Sequence, residues 1–190
     1  MLRTNPTFLQ FIQNLFVSNQ QHEAFSLRTW PRGSLLLKQG TAAVRVSVIR
    51  EGITKCYFSE ENGKDFIIEF LSEGEILGDL EAIRNNVCLC NVEALTDVQV
   101  YSINIDYFRT LLQKDITLNQ LLLHALAGRV INTSQRSSLQ QLYTVDHAVK
   151  RLLELQTRQQ LNFSKEDMAA YLGITLRSLN RALKHLSDQD

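Results

Sequence analysis

The run Asn162 to Leu186, NFSKEDMAAYLGITLRSLNRALKHL, constrains the fold more than any other stretch, because its local signals spell two short helices joined by a glycine turn. Ser164 is placed to cap the first helix by accepting a backbone N–H, with Glu166 and Asp167 in the first turn, where the helix dipole favours acids. Gly173 ends that helix and Thr175 caps the next. Leu179, Ala182, Leu183 and Leu186 then fall at i, i+3, i+4 and i+7, one apolar face for packing. The other face carries Arg177, Arg181 and Lys184, with Ser178 and Asn180 beside them and no acid between Ile174 and Leu186. Such a face suits phosphate oxygens and guanine edges, since the Arg fork matches O6 and N7 together. A solvated helix in a small helical subdomain is the plainer reading; the two caps and the glycine turn favour DNA binding.

The totals do not announce a nucleic-acid partner. The 190 residues balance 20 Lys+Arg against 20 Asp+Glu, and beyond Thr144 the counts are 7 against 6. Positive charge must therefore act locally, on one helix, which favours a dimer on two half-sites over non-specific coating of DNA.

From Trp30 to Ile105, Gly33, Gly40, Gly52, Gly63, Gly74 and Gly78 punctuate short β-branched and aromatic runs such as AVRVSVI and DFIIEFL. This predicts an antiparallel roll or small barrel, with a hairpin of type I′ at Asn62-Gly63 and an N-terminal helix over roughly Phe8 to Phe25 packed on it. The period then changes to 3.6. Asp106 to Leu112 reads as a short helix and Lys114-Asp115 as a break. A long helix follows from about Leu118 to Gln141, with a stripe of Leu118, Leu121, Leu122, Ala125, Leu126, Arg129 and Val130. A long helix between two domains invites self-association, against the alternative that it packs only on the β-domain.

This order of parts, together with FLSEGEILGDLEAI (Phe70 to Ile83) and LRSLNRALKHL, resembles the Crp/Fnr family of bacterial transcription regulators over nearly the whole chain. The resemblance implies an α+β fold: an antiparallel β-roll of the cyclic-nucleotide-binding type, a long dimerisation helix and a C-terminal helix-turn-helix domain. The expected divisions are residues 1–112, 113–142 and 143–190. Arg181 matches the family's most consistent recognition-helix Arg, Arg177 and Ser178 stand at variable specificity positions, and Leu176 replaces a polar base-reading residue of some members. Family members continue into a β-hairpin wing; here the sequence runs only to Asp190 after that helix, so an absent or truncated wing and weaker affinity are expected.

The effector pocket departs from the resemblance. Gly78-Asp79 stands where cAMP-binding members open a phosphate cassette, but Cys88-Leu89 aligns with their phosphate-holding Arg-Ser pair, leaving Arg84 as the nearby cation. Thr133-Ser134 stands where cAMP receptors supply hydroxyls. The expected pocket is thus Gly78, Asp79, Cys88, Thr133 and Ser134, with an unidentified small-molecule effector rather than cAMP. Three cysteines, none before Cys56, argue against an iron–sulfur cluster, and haem is not expected. Cys88 and Cys90 read as alternating on a strand, sharing one face; filling a roll interior is the simpler role, a redox or metal role the sharper one. His22, His124, His147 and His185 lack ligand spacing for zinc.

No GxxxxGK[ST], GxSxG or HExxH occurs, so no enzyme activity is expected. The N-terminal segment lacks a continuous apolar h-region, which predicts a cytoplasmic protein with free thiols and no membrane partner. Expected partners are double-stranded DNA, a second copy of the chain and RNA polymerase. The rival reading is an interaction module whose C-terminal domain contacts protein rather than DNA.

Overall fold

The computed structural model describes residues 2–19 and 22–188. In chain order the elements are β1 (Leu2–Arg3), α1 (Pro6–Ser18), β2 (Phe25–Trp30), β3 (Leu35–Leu37), β4 (Arg45–Glu51), β5 (Thr54–Ser59), β6 (Asp65–Leu71), β7 (Ile76–Leu77), α2 (Asp79–Arg84), β8 (Asn91–Ala94), β9 (Val98–Asn104), α3 (Ile105–Lys114), α4 (Ile116–Leu142), α5 (Val145–Gln159), α6 (Lys165–Leu172) and α7 (Leu176–Ser187). The strands make two sheets, ordered β1-β6-β5-β8-β3 and β2-β9-β4-β7. Every pairing is antiparallel except β1 on β6.

Alternation along the strands puts one apolar set between the sheets: Ile49, Leu71, Leu77, Val92, Ala94, Val98 and Val100 are all buried there. The second sheet is also covered on its outer side. Phe8 and Ile12 of α1, Phe108 of α3, and Leu118 and Leu122 of α4 pack with Val46, Val48, Tyr101 and Ile103. Each of these fully buried large side chains contributes roughly 1.5–3 kcal/mol relative to exposure.

Two local expectations need correction. The first helix starts at Pro6, capped by Asn5, whose side chain accepts from Phe8 N at 3.1 Å, and it ends at Ser18 rather than Phe25. Phe25 instead opens β2, because its ring is buried edge-on against Phe16 and Tyr107. The hairpin between β5 and β6 is real, but it is not type I′. Gly63 N–H donates to Glu60 O (2.9 Å) and Glu60 N–H donates to Lys64 O (3.0 Å); Gly63 has φ +74° while Asn62 stays at negative φ. That is a three-residue loop with glycine in the left-handed position, the hairpin form next most common after the two-residue turns.

The break before the long helix falls at Asp115, whose carboxylate caps α4 by accepting from Thr117 N and Leu118 N. The helix spans Ile116–Leu142. Beyond it, α5 is an element the periodicity reading did not place. Its Val149 and Leu152 bury against Met168 and Ala169 of α6 and Leu179 and Ala182 of α7, giving the C-terminal half its own core. That half also rests on the roll. Phe163 stacks on Phe70 of β6 at 3.8 Å between centroids, and Lys55 Nζ of β5 meets Asp167 of α6 at 3.0 Å.

Candidate nucleic-acid interface and effector pocket

Local signals build the C-terminal helix pair as its sequence predicts. Ser164 Oγ accepts from Asp167 N at 3.0 Å, and Gly173 ends α6 at φ +68°. Thr175 Oγ1 accepts from Ser178 N at 3.1 Å to start α7. Leu179 and Ala182 are fully buried. With that face anchored, the helix period turns Arg177, Asn180, Arg181 and Lys184 to solvent, and Ser178 is half-buried. Among the described residues none of Arg177, Arg181 and Lys184 has an ion-pair partner. Asn180 accepts from Lys165 Nζ at 3.2 Å, and Ser178 Oγ accepts from Thr175 at 3.0 Å. The cations are thus presented to an outside anion, and the two neutral polar residues are held in place beside them.

The second site is a cavity of about 200 Å³ inside the roll. Gly78 forms its corner: the residue sits at φ +82°, and a Cβ there would lie 2.9 Å from Arg45 O, so glycine is required by both conformation and space. Of the residues the sequence reading grouped as an effector pocket, Gly78, Asp79 and Thr133 line the cavity; Cys88 and Ser134 do not. Cys88 is buried in the loop that joins α2 to β8, its N–H donating to Thr41 O, and Ser134 is exposed on α4. The expectation that Cys88 and Cys90 alternate on a strand is also corrected, because β8 begins at Asn91. Cys90 faces Cys56 instead, Sγ to Sγ at 2.6 Å, and both line the cavity.

Nor is Arg84 the cation of this site; it is exposed at the end of α2. Arg129 enters from α4. It donates to Asp79 Oδ2 at 2.7 Å and to Ile76 O at 2.7 Å, and Glu75 lies 3.9 Å away. Burial alone would lower its pKa, but the charge and hydrogen bond of Asp79, with the charge of Glu75, more than offset this and raise it. Burial pushes the Glu75 carboxyl up, against the pull of Arg3 and Arg129. Glu81 accepts from Leu89 N at 3.0 Å, tying down the loop. Two guanidinium groups therefore serve the carboxylates here, Arg3 holding Glu69 and Glu75 and Arg129 holding Asp79, so these acids are paired from within the chain.

A third feature joins the two. Arg136, seven residues beyond Arg129 on α4, donates to Ile67 O (2.8 Å) and Ile68 O of β6 and to Tyr171 O at the end of α6. Its guanidinium lies 4.0 Å from the Tyr171 ring centre and 4.9 Å from that of Phe66. A cleft of about 350 Å³ opens beside it, between α4, α5 and the β1–β6 edge.

The sequence matches the cyclic nucleotide-binding domain family over residues 27–115 and the Crp-like helix-turn-helix domain family over residues 148–190. The chain belongs to the Crp/Fnr family. Among its relatives is the cAMP-activated global transcriptional regulator CRP of Salmonella typhimurium, 24% identical over 199 residues that cover 99% of this chain and 90% of that one. Similar solved structures include the c-di-GMP responsive global regulator CLP of Xanthomonas campestris, with a TM-score of 0.80 at 16% identity over 95% of this chain and 92% of that one. A CRP/FNR-family transcriptional regulator from Thermus thermophilus gives 0.73 at 16% identity over 86% and 87%. This Crp-family chain is a transcription regulator with a helix-turn-helix DNA-binding domain, α6 and α7 forming the pair and α7 standing as its second helix. No helix among the described residues is long and apolar enough to cross a membrane.

Proposed function

We propose that this regulator binds a palindromic operator as a homodimer, reading bases with Arg177 and Arg181 and phosphates with Lys184, under control of a small effector other than cAMP. The observation that carries the reading is the α7 face, where three cations stand exposed without ion-pair partners beside polar side chains already held in position. The domains of this reading are the roll through residue 112, the helix over 113–142 and the DNA-binding part from 143.

Dimerisation is supported by α4. Ile116, Leu123 and Val130 recur every seven residues and are 71%, 66% and 66% exposed. A stripe of that period on a 27-residue helix is a coiled-coil seam without its partner, and a second copy of the same helix supplies a matching one.

The effector reading follows from charge and size. A cyclic phosphate requires unpaired donors, yet Arg129 is held by Asp79 and Ile76 O, with Glu75 3.9 Å away. The cavity of about 200 Å³ also falls below the 300–1,000 Å³ usual for small-molecule sites. The relatives' activation by cAMP is therefore not carried over to this chain.

The test is selection of the purified protein on a random DNA library at two salt concentrations. Enrichment of a palindrome with half-sites about one helical turn apart, weakening steeply with salt, is the expected result. Retention of unrelated sequences, or of a protein partner with little salt dependence, would overturn the reading.

A further inference from the structure

Two sulfur atoms in the cavity have no use in dimerisation or DNA contact. Cys56 lies on β5 opposite Val92 of β8, and Cys90 stands two residues before Val92, just outside the strand. The chain bends at Leu89 and Cys90 and brings the two Sγ atoms to 2.6 Å. Both thiols line the cavity; Cys88 is buried apart from it.

We propose that Cys56 and Cys90 are a redox-modification site, closed to an intramolecular disulfide by a low-molecular-weight disulfide that reaches the half-buried Cys90 from solvent. The sulfurs need to approach by only about half an ångström to reach the bonded distance of about 2.05 Å. Cys90 loses its proton to water and its thiolate attacks the small disulfide, whose S–S bond breaks and releases one thiolate. Cys56 gives its proton through water to the first released thiolate, and its own thiolate attacks Cys90 Sγ in the mixed disulfide. The second small thiolate is expelled and takes up the proton that Cys90 gave to water. Two protein thiols are oxidised, and one small disulfide is reduced to two thiols. The order follows from position. Cys90 sits on a loop, whereas the hydrogen bond to Cys90, and then burial, hold the Cys56 thiol well up. Once Cys90 has reacted that hydrogen bond is gone, which removes the largest of the causes that hold the Cys56 thiol up.

The bond would tie the α2–β8 loop to β5. Neighbouring side chains on a strand point to opposite faces, and Lys55, next to Cys56, holds Asp167 of α6 at 3.0 Å. Oxidation therefore acts on the strand that carries the DNA-binding half. This consequence rests on the regulator reading; the chemistry does not.

The full-length protein, reduced and then equilibrated in graded ratios of reduced to oxidised glutathione, is acid-quenched, alkylated and digested for mass analysis. A Cys56–Cys90 linked peptide that accumulates with oxidation, reverses with reductant and persists in Cys88→Ser is the expected result. Cys56→Ser should stop at a glutathione adduct on Cys90. Thiols at 56 and 90 that stay alkylatable throughout, or links that involve Cys88 or a second chain, would overturn the site. On the same samples DNA affinity should change several-fold between reduced and linked protein; a linked protein of unchanged affinity would overturn the coupling through Lys55. A reduced protein that binds no DNA at all counts against the regulator reading and leaves the peptide result standing.

Discussion

Replacing Arg136 by Ala should release the DNA-binding half from the roll without unfolding either. The guanidinium donates to three backbone carbonyls, Ile67 O and Ile68 O on β6 and Tyr171 O on α6, and hydrogen bonds from a charged group contribute roughly 1.5–3 kcal/mol each. The gross gain is then at least about 4.5 kcal/mol, with about 1 kcal/mol more from the Tyr171 and Phe66 rings. Against this stands the cost of burying the charge, several kcal/mol. That cost is visible in the fall of Arg136's pKa through burial and in its Nε, which has no hydrogen-bond partner among the described residues. The net loss expected is about 2 kcal/mol, roughly a thirty-fold rise in the undocked population. Native-state amide exchange separates docking from global stability. Amides of α6 and β6 should exchange faster in Arg136→Ala, while those of β4 and β9 keep their protection. Unchanged protection of α6, or an equal loss across β4 and β9, would refute the latch. Arg136→Lys should restore little, because one ammonium cannot reproduce a planar fork that spans two elements.

Arg181→Ala should cost about 1–3 kcal/mol at the operator and relax one base preference, whereas Lys184→Ala should weaken all sequences alike and shallow the salt slope; equal operator affinity of Arg181→Ala would refute the first. Leu123→Asp puts a charge in the exposed heptad and removes about 2 kcal/mol of apolar burial per copy, about 4 kcal/mol per dimer, so sedimentation should show a roughly thousand-fold weaker dimer. Saturating cAMP should leave the melting temperature unchanged, where a ligand at a hundred times its Kd would stabilise by about 2.7 kcal/mol. Burial, and then the charge and hydrogen bond of Glu93, push the Tyr57 phenol up to about 12. The fold favours its neutral form, so this stability is present below the ordinary value of 10 and is lost as pH rises through about 12. Spectrophotometric titration should show a late-ionising step that Tyr57→Phe removes.

What was legible in the sequence is what depends on near neighbours. Ser164, Gly173 and Thr175 act within three residues of themselves, and the structure places all three in their expected roles. Asp115 lay within the predicted break for the same reason. The hairpin at Asn62-Gly63 was legible in place but not in type, since Asn-Gly also suits a three-residue loop in which only the glycine takes positive φ. The end of α1 was not legible: no proline or glycine follows Ser18, and what claims Phe25 for β2 is burial against Tyr107, eighty-two residues away.

The pocket was least legible, because its partners meet only through the sheet. Arg129 falls at the spacing of the α4 stripe and reads as part of that seam; its carboxylates, Glu75 and Asp79, lie some fifty residues earlier. Alternation grouped Cys90 with Cys88, but the bend before β8 brings it to Cys56, which the ladder pairs with Val92. Pairing across strands has no local signature beyond residue type.

The same geometry explains how one helix can serve pocket and docking surface together. Arg129 and Arg136 are two turns apart, on one face of α4 and about 10 Å along its axis. The first is held by Asp79 in the cavity, the second by β6 and the end of α6. Val130, beside Arg129, lies on the exposed heptad, about a hundred degrees round the helix. Since the backbone between them is continuous helix, a rotation of α4 about its axis displaces both guanidinium groups from their acceptors, and a ligand that releases Arg129 removes one of the restraints on that rotation. Coupling of this kind requires differential contacts in two states rather than a wire of residues. It makes a specific demand: Arg129→Ala and Arg136→Ala should be non-additive in α6 amide exchange although the two side chains share no hydrogen-bond acceptor, and strict additivity would show that α4 does not carry the link.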